Sequence, residues 1–318
     1  MKAAIRKIYG PPSTIAVEEV KTPVLKAGEV LVKVHATTVN RTDCANLTGK
    51  PFIMHFVLGL FKPSKSILGT DFAGEVAVVA DDVKTFSKGD GVFGFIDTGA
   101  ESQANYTKVK ADQLFLIPEN VGFKEAAASL EGAHYAYSFV HKVQIKTGQK
   151  VLINGATGGI GSALLQFVRQ YDVHITVTCN DKNRELMKSL GADQLIDFNQ
   201  QDFTELDETY DYVFDAVGKS TYGKSKKVLT SDGTYISSEL GPYAQNVFYA
   251  MFSFLFRRKV IFPIPFSTKQ TIPFISKTLA NNTFKPVIEK EYDITEISAA
   301  YQYVISGQKT GNVLITYN

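Results

Sequence analysis

"VLINGATGGIGSALLQ", residues Val151 to Gln166, is the stretch that decides the fold. Preceded by Lys150, the run "VLIN" is short and apolar, as a strand buried on both faces must be. After the glycines, Ile160, Ala163, Leu164, Phe167 and Val168 recur at the spacing of a helix laid on a sheet. Between strand and helix lies Ala156-x-Gly158-x-x-Gly161, with Gly155 and Gly159 as extra small residues and alanine where a dinucleotide fingerprint has its first glycine. Gly158 lets the backbone approach a pyrophosphate, Gly161 lets the helix pack close to the strand, and the helix N-terminus adds partial positive charge. Residues Ala156, Thr157, Gly158, Gly159, Ile160 and Gly161 are therefore expected to cradle a dinucleotide. The loop lacks the Gly-Lys-Ser/Thr ending of a nucleotide-hydrolysing loop.

A second βα unit follows at once. "VHITVT" reads as a strand, and "DKNRELMKSLGAD" as a helix capped by Asp181 and stopped by Gly191. "QLIDF", "YDYVFDAVG", "GTYISS" and "KVIFPI" complete six strands, which predicts a doubly wound α/β domain with a six-stranded parallel sheet over residues 123–266. At the end of the second strand an acidic side chain would bond the ribose of NAD and repel the phosphate of NADP. Thr178 takes that place here, and Asn180, Lys182 or Arg184 could meet a 2′-phosphate. NADPH is favoured; the competing reading is a solvated helix start.

The earlier residues are different in kind. "EVLVKVHATTV" alternates Val30, Val32 and Val34 with Leu31, Lys33 and His35, and Gly and Asp punctuate the runs, as in "SKGDGVFGF". This predicts a mostly antiparallel β domain over residues 1–122, to which the tail 267–318 returns. The chain has 318 residues, 44% hydrophobic and 21% charged, with a net charge of +2 spread in both signs, so nucleic acid is not the expected partner. Two cysteines, Cys44 and Cys179, exclude a disulfide scaffold and a four-thiolate zinc site. The start is broken by Gly10, Pro11 and Pro12, and the greasiest run, Val247 to Phe256, is about half a membrane span, so a cytoplasmic chain with no membrane partner is expected. Tyr222 and Lys226 form a Tyr-x-x-x-Lys pair, which chance explains best among 15 tyrosines.

"GEVLVKVHATTVNRTD", "LGTDFAGEV", "FSKGDGVFGF", "AAASLEGAHYAY", "LMKSLGADQLIDF", "FDAVG" and "GQKTGNVLI", together with the glycine loop, resemble the medium-chain dehydrogenase/reductase superfamily over nearly the whole chain. The likeness is strongest to its zinc-independent, quinone-oxidoreductase-like branch. It implies a GroES-like catalytic domain (1–122 with 267–318), a Rossmann domain (123–266), and reduction of quinones or α,β-unsaturated carbonyls by NADPH; a homodimer is expected along the edge strand "KVIFPI", since an unpaired strand edge needs a partner or cover. Zinc-dependent members place cysteine, histidine and cysteine where this chain has Asn40, Thr70 and Glu131. Without zinc, which pulls a bound oxygen's pKa from about 16 to about 7, an alkoxide route is poor, whereas an enone or quinone delocalises the charge it receives.

The same resemblance places Asn40 and Asp43 beside the nicotinamide, and Gly218, Ser238 and Asn312 at the cofactor. It sets Phe198 where relatives have a tyrosine and Asn183 where they have a lysine. Thr70 and Glu131 complete the catalytic candidates, Glu131 as a proton relay if burial raises its pKa. "PFIMHFVLGLF" and "YAMFSFLF" are aromatic segments suited to a flat apolar substrate or to the core. Two alternatives stand beside the reductase: an alcohol dehydrogenase that recruits metal, and a crystallin-like protein that binds NADPH without turnover.

Overall fold

Alternation early in the chain becomes strands: β1 (Lys2–Ile5), β2 (Ala16–Glu19), β3 (Glu29–Val39), β4 (Asp71–Val79), β5 (Gly91–Phe95), β6 (Tyr106–Lys110) and β7 (Phe115–Leu116). The middle supplies β8 (Lys150–Asn154), β9 (His174–Cys179), β10 (Gln194–Asp197), β11 (Tyr210–Asp215), β12 (Leu229–Ser237) and β13 (Lys259–Ile261), and the tail β14 (Ile288–Asp293) and β15 (Asn312–Thr316). The computed structural model describes residues 1–52, 54–238, 240–241, 244–255 and 257–317. Two compact units result, Met1–Glu131 with Thr268–Asn318, and Gly132–Ser267.

β3 organises the first unit by changing partner along its length. On one edge Glu29–Lys33 pairs with β6 and Ala36–Val39 with β15; β4 runs along the other edge. All of these pairs are antiparallel, but β14 and β15 run parallel, because the helix Ile297–Ile305 carries the chain back across. Val30, Val32 and Val34 enter the core as the alternation predicts. Leu31 is buried as well, since residues 23–27 wall the groove it lines, while Lys33 stays exposed. Each such side chain, fully buried, contributes about 1.5–3 kcal/mol of burial free energy. The helix Phe123–Ala128, placed by its sequence at the start of the nucleotide domain, packs instead on β3, β4 and β15. Three consecutive buried alanines allow the close approach, and the Phe123 ring stacks 4.4 Å from His35.

In the second unit the strand order is β10-β9-β8-β11-β12-β13, every neighbour parallel. Strand order reverses between β8 and β11, and in such sheets ligands bind beyond the carboxyl ends at that switch. The helix Gly159–Val168 is buried on more than one stripe, since Ser162 and Leu165 join the expected residues and Ile160 is only half-buried. Gly191, at φ 102°, stops the next helix as expected; Asp181 opens a 3-10 turn and makes no side-chain cap there. Tyr222 lies in the core, its ring 5.2 Å from Tyr249, while Lys226 is exposed, so the Tyr-x-x-x-Lys pair is a packing feature. β13 forms one edge of the sheet. Among the described residues no helix is long and apolar enough to cross a membrane.

Candidate active site

In the first unit the candidates meet at the start of the helix Arg41–Thr48. Asn40 is its N-cap: its side-chain oxygen accepts from the Asp43 N–H at 2.8 Å, and the Asp43 carboxyl accepts from the Asn40 N–H at 3.1 Å. The Asn40 amide donates to Thr70 Oγ1 (2.9 Å) and Asp71 Oδ2 (3.1 Å), so Asn40, Asp43 and Thr70 are brought together. Asp71, which the sequence reading did not single out, also accepts from the Thr38 N–H (2.7 Å) and hydroxyl (2.5 Å). Burial pushes both Asp43 and Asp71 above the usual carboxylate range, and for Asp43 the neighbouring Asp71 adds to it.

Glu131 stands one residue farther out. Its Oε1 accepts from the Thr42 hydroxyl at 3.1 Å, and burial lifts its carboxyl to about 7, against the downward pull of the Lys309 ammonium. An acid of that strength holds and releases a proton near neutrality. Lys309 and Thr42 were not legible as site residues: a lysine in a glycine-rich tail and a threonine in a helix's first turn look like solvated positions. Cys44 is raised to about 12 by burial and Asp43, so it stays a thiol and behaves as a small half-buried hydrophobe. Asn40 and Thr70 are already hydrogen-bonded to each other and offer no thiolate or imidazole. With Glu131 they make a donor set that does not fit zinc.

In the second unit the glycine loop is built by backbone geometry. Gly155, one residue before the alanine at the fingerprint's first glycine, takes the left-handed conformation (φ 81°), and a Cβ there would meet Val217 at 2.2 Å. Ala156 is buried and needs no such freedom. A Cβ on Gly161 would fall 2.1 Å from the Gly155 carbonyl, and one on Gly132 2.6 Å from Gly159, so two helices press on the loop backbone. Gly158 is different: a Cβ there would meet nothing nearer than 3.9 Å. It is the N-cap of Gly159–Val168 and supplies no side-chain cap, which leaves the first-turn N–H groups without a capping side chain. These residues fit a pyrophosphate.

Around the loop, the strand ends are tied by side chains. The Thr178 hydroxyl donates to Asn154 Oδ1 (2.8 Å) and accepts from the Gly155 N–H (2.8 Å), so it ties the loop to β9 and β8. Asn154 in turn donates to Asp215 at 3.0 Å. Asp215, which ends β11, also accepts from the N–H groups of Val217, Gly218 and Ser220 and from the Tyr235 hydroxyl. This buried hub was missed in the sequence, although an acid closing an apolar strand in "YDYVFDAVG" was its signal. Gly218 sits in the turn it holds, at φ 65°. Asn180 accepts from buried Asn183 at 2.7 Å, Lys182 and Phe198 are exposed, and Ser238 follows β12 half-buried. Asn312 lies in the first unit, where its amide donates to the Val287 carbonyl at 3.0 Å.

Comparison with known proteins agrees with both halves. Residues 26–150 match the family model for the alcohol dehydrogenase GroES-like domain, and residues 190–315 that for zinc-binding dehydrogenases. The chain is 29% identical to a 2-methylene-furan-3-one reductase of Solanum lycopersicum and 27% identical to an NADPH-dependent alkenal/one oxidoreductase of Arabidopsis thaliana, in each case over 99% of this chain and 79% of the relative. The quinone oxidoreductase of Coxiella burnetii superposes with a TM-score of 0.88 at 25% identity, over 100% of this chain and 99% of that one. With a GroES-like unit, a six-stranded doubly wound unit and oxidoreductases as relatives, the chain belongs to the medium-chain dehydrogenase/reductase superfamily, in its quinone-oxidoreductase-like branch.

Proposed function

We propose that this oxidoreductase uses NADPH, without zinc, to reduce quinones or α,β-unsaturated carbonyl compounds. The observation that carries the reading is the helix N-terminus at Gly158, which no side chain caps and where a Cβ would meet nothing nearer than 3.9 Å. The names of the relatives, an alkenal/one oxidoreductase and a furanone reductase, support the acceptor class. Asn180 and Lys182 are the groups proposed to meet the 2′-phosphate, with Arg184 partly engaged by Asp181 at 3.2 Å. The reduced nicotinamide supplies a hydride when bound. The chain's own part is to hold a proton: Glu131 retains one up to about pH 7 and is the proposed donor to the acceptor oxygen, while Asn40 fixes the helix that carries Thr42.

Gly158→Val tests the cofactor half. Its backbone (φ −76°, ψ 174°) suits valine and a Cβ has space there, so the loss of stability should stay within about 1 kcal/mol, the cost of a poorer N-cap residue. NADPH affinity, measured by calorimetric titration, should nevertheless fall at least about tenfold, which is about 1.4 kcal/mol. Unchanged affinity would remove the cradle. A panel of quinones and enones, with loss of NADPH and NADH absorbance followed, tests the rest; tight NADPH binding with no acceptor turned over would favour the non-catalytic alternative.

A further inference from the structure

Between Asp43 and Asp71 the chain carries no acidic residue and three lysines, Lys50, Lys62 and Lys65. Within this stretch Phe52, Phe56, Val57, Leu60 and Phe61 are exposed, Phe56 at 72% and Phe61 at 93% of full accessibility, whereas Leu58 is buried. Ile53 lies outside the described residues. The segment, which includes the helix Met54–Leu58, is held from beneath. The Tyr9 hydroxyl donates to the Gly59 carbonyl at 2.7 Å, and the Tyr9 ring lies 4.2 Å from that of His55. His55 Nδ1 sits 3.1 Å from the Leu60 carbonyl, and the Phe52 ring 4.9 Å from His55. Below Tyr9 the buried Arg6 guanidinium lies 5.4 Å from its ring centre. Large apolar side chains are thus displayed on an anchored base. Lys65 is bonded to the Gly99 carbonyl, which leaves Lys50 and Lys62 as exposed cations flanking the apolar tips.

Against the expectation of no membrane partner, we propose that residues 50–52 and 54–62 seat the first unit on an anionic lipid surface, with the apolar tips at the boundary of headgroups and acyl chains and Lys50 and Lys62 against the lipid phosphates. Five large apolar side chains exposed within one short segment mark an interaction surface. The segment's uniformly basic flanks select an anionic occupant. A second copy of the same loop would bring lysine against lysine, and a small substrate would leave Phe61, which has no wall around it, in water. The attachment is peripheral, since no described helix is long and apolar enough to cross a membrane. It stands independently of the reductase reading, because binding needs neither cofactor nor acceptor.

The test is flotation of the full-length protein with vesicles of phosphatidylcholine alone and of phosphatidylcholine with about one third phosphatidylglycerol. Wild type should float with the anionic vesicles, at least about tenfold better than with neutral ones, and should come off as salt rises. The double variant Phe56→Ser, Phe61→Ser should lose at least about tenfold in binding with an unchanged melting temperature, because both side chains are already in water. The double variant Lys50→Glu, Lys62→Glu should lose the anionic preference. Failure of wild type to float, or equal flotation of the serine variant, overturns the proposal. So does a dimer in vesicle-free solution that the serine variant splits into monomers, which would assign the patch to a second copy.

Discussion

Asp215→Ala is expected to destabilise the second unit by about 3–5 kcal/mol and to abolish NADPH binding with it. The carboxyl is fully buried and takes hydrogen bonds from Asn154, Val217, Gly218, Ser220 and Tyr235, five donors that lie in three separate parts of the chain. Alanine would leave them facing a cavity that none of their own elements can fill, and each unpaired buried donor costs about 1–3 kcal/mol before relaxation or water entry recovers part of it. Asp215→Asn keeps the volume but turns an NH2 toward N–H donors, so its loss should fall between alanine and wild type. Urea unfolding followed alongside cofactor titration separates the two effects. A variant that unfolds like wild type would show that the strand-end network is not what holds the "DAVG" turn in shape.

The same hub shows where reading a sequence stops. The six strands were legible because each is a short apolar run bounded by glycine or a polar cluster, and the loop because glycine is the residue that permits close approach. Even there, the left-handed turn falls on Gly155, one residue before the alanine at the fingerprint's first glycine, and the side chain of Val217, 62 places on, leaves no room for a Cβ at that point. Thr178 shows the converse. Its place in the pattern is at the ribose, but its hydroxyl answers Asn154 and the Gly155 N–H, neither of them visible from β9 alone. In the first unit, Asn40, Thr70 and Glu131 were legible by their likeness to zinc-ligand positions, and Asp43 by its place three residues after Asn40 in "VNRTD". Lys309 and Thr42 were not, because their significance comes only from Glu131, which lies far from Lys309 in sequence, and burial there is a property of the fold.

Glu131→Gln should make the protein more stable and less active at once. Burial lifts the folded-state carboxyl from an ordinary 4.5 to about 7, with Lys309 pulling down and Asp71 and Asp97 pushing up. The unfolded chain loses this proton near its ordinary value while the folded chain keeps it, so the folded state binds more protons between about pH 4.5 and 7. Stability conferred by the retained proton is therefore full below that window and lost as pH rises through it, leaving the ionised form penalised above pH 7 by up to about 3 kcal/mol. Glutamine has no charge to bury: the variant should match wild type near pH 4 and exceed it at pH 8. If Glu131 donates the proton, turnover should fall about 10²–10⁴-fold with NADPH affinity unchanged. Lys309→Met should leave the donor in place but remove the charge that pulls it down, so the alkaline limb of the activity profile should move to higher pH. A Glu131→Gln enzyme with wild-type turnover and the same gain at pH 8 would make Glu131 a buried structural acid and move the search for the donor to solvent.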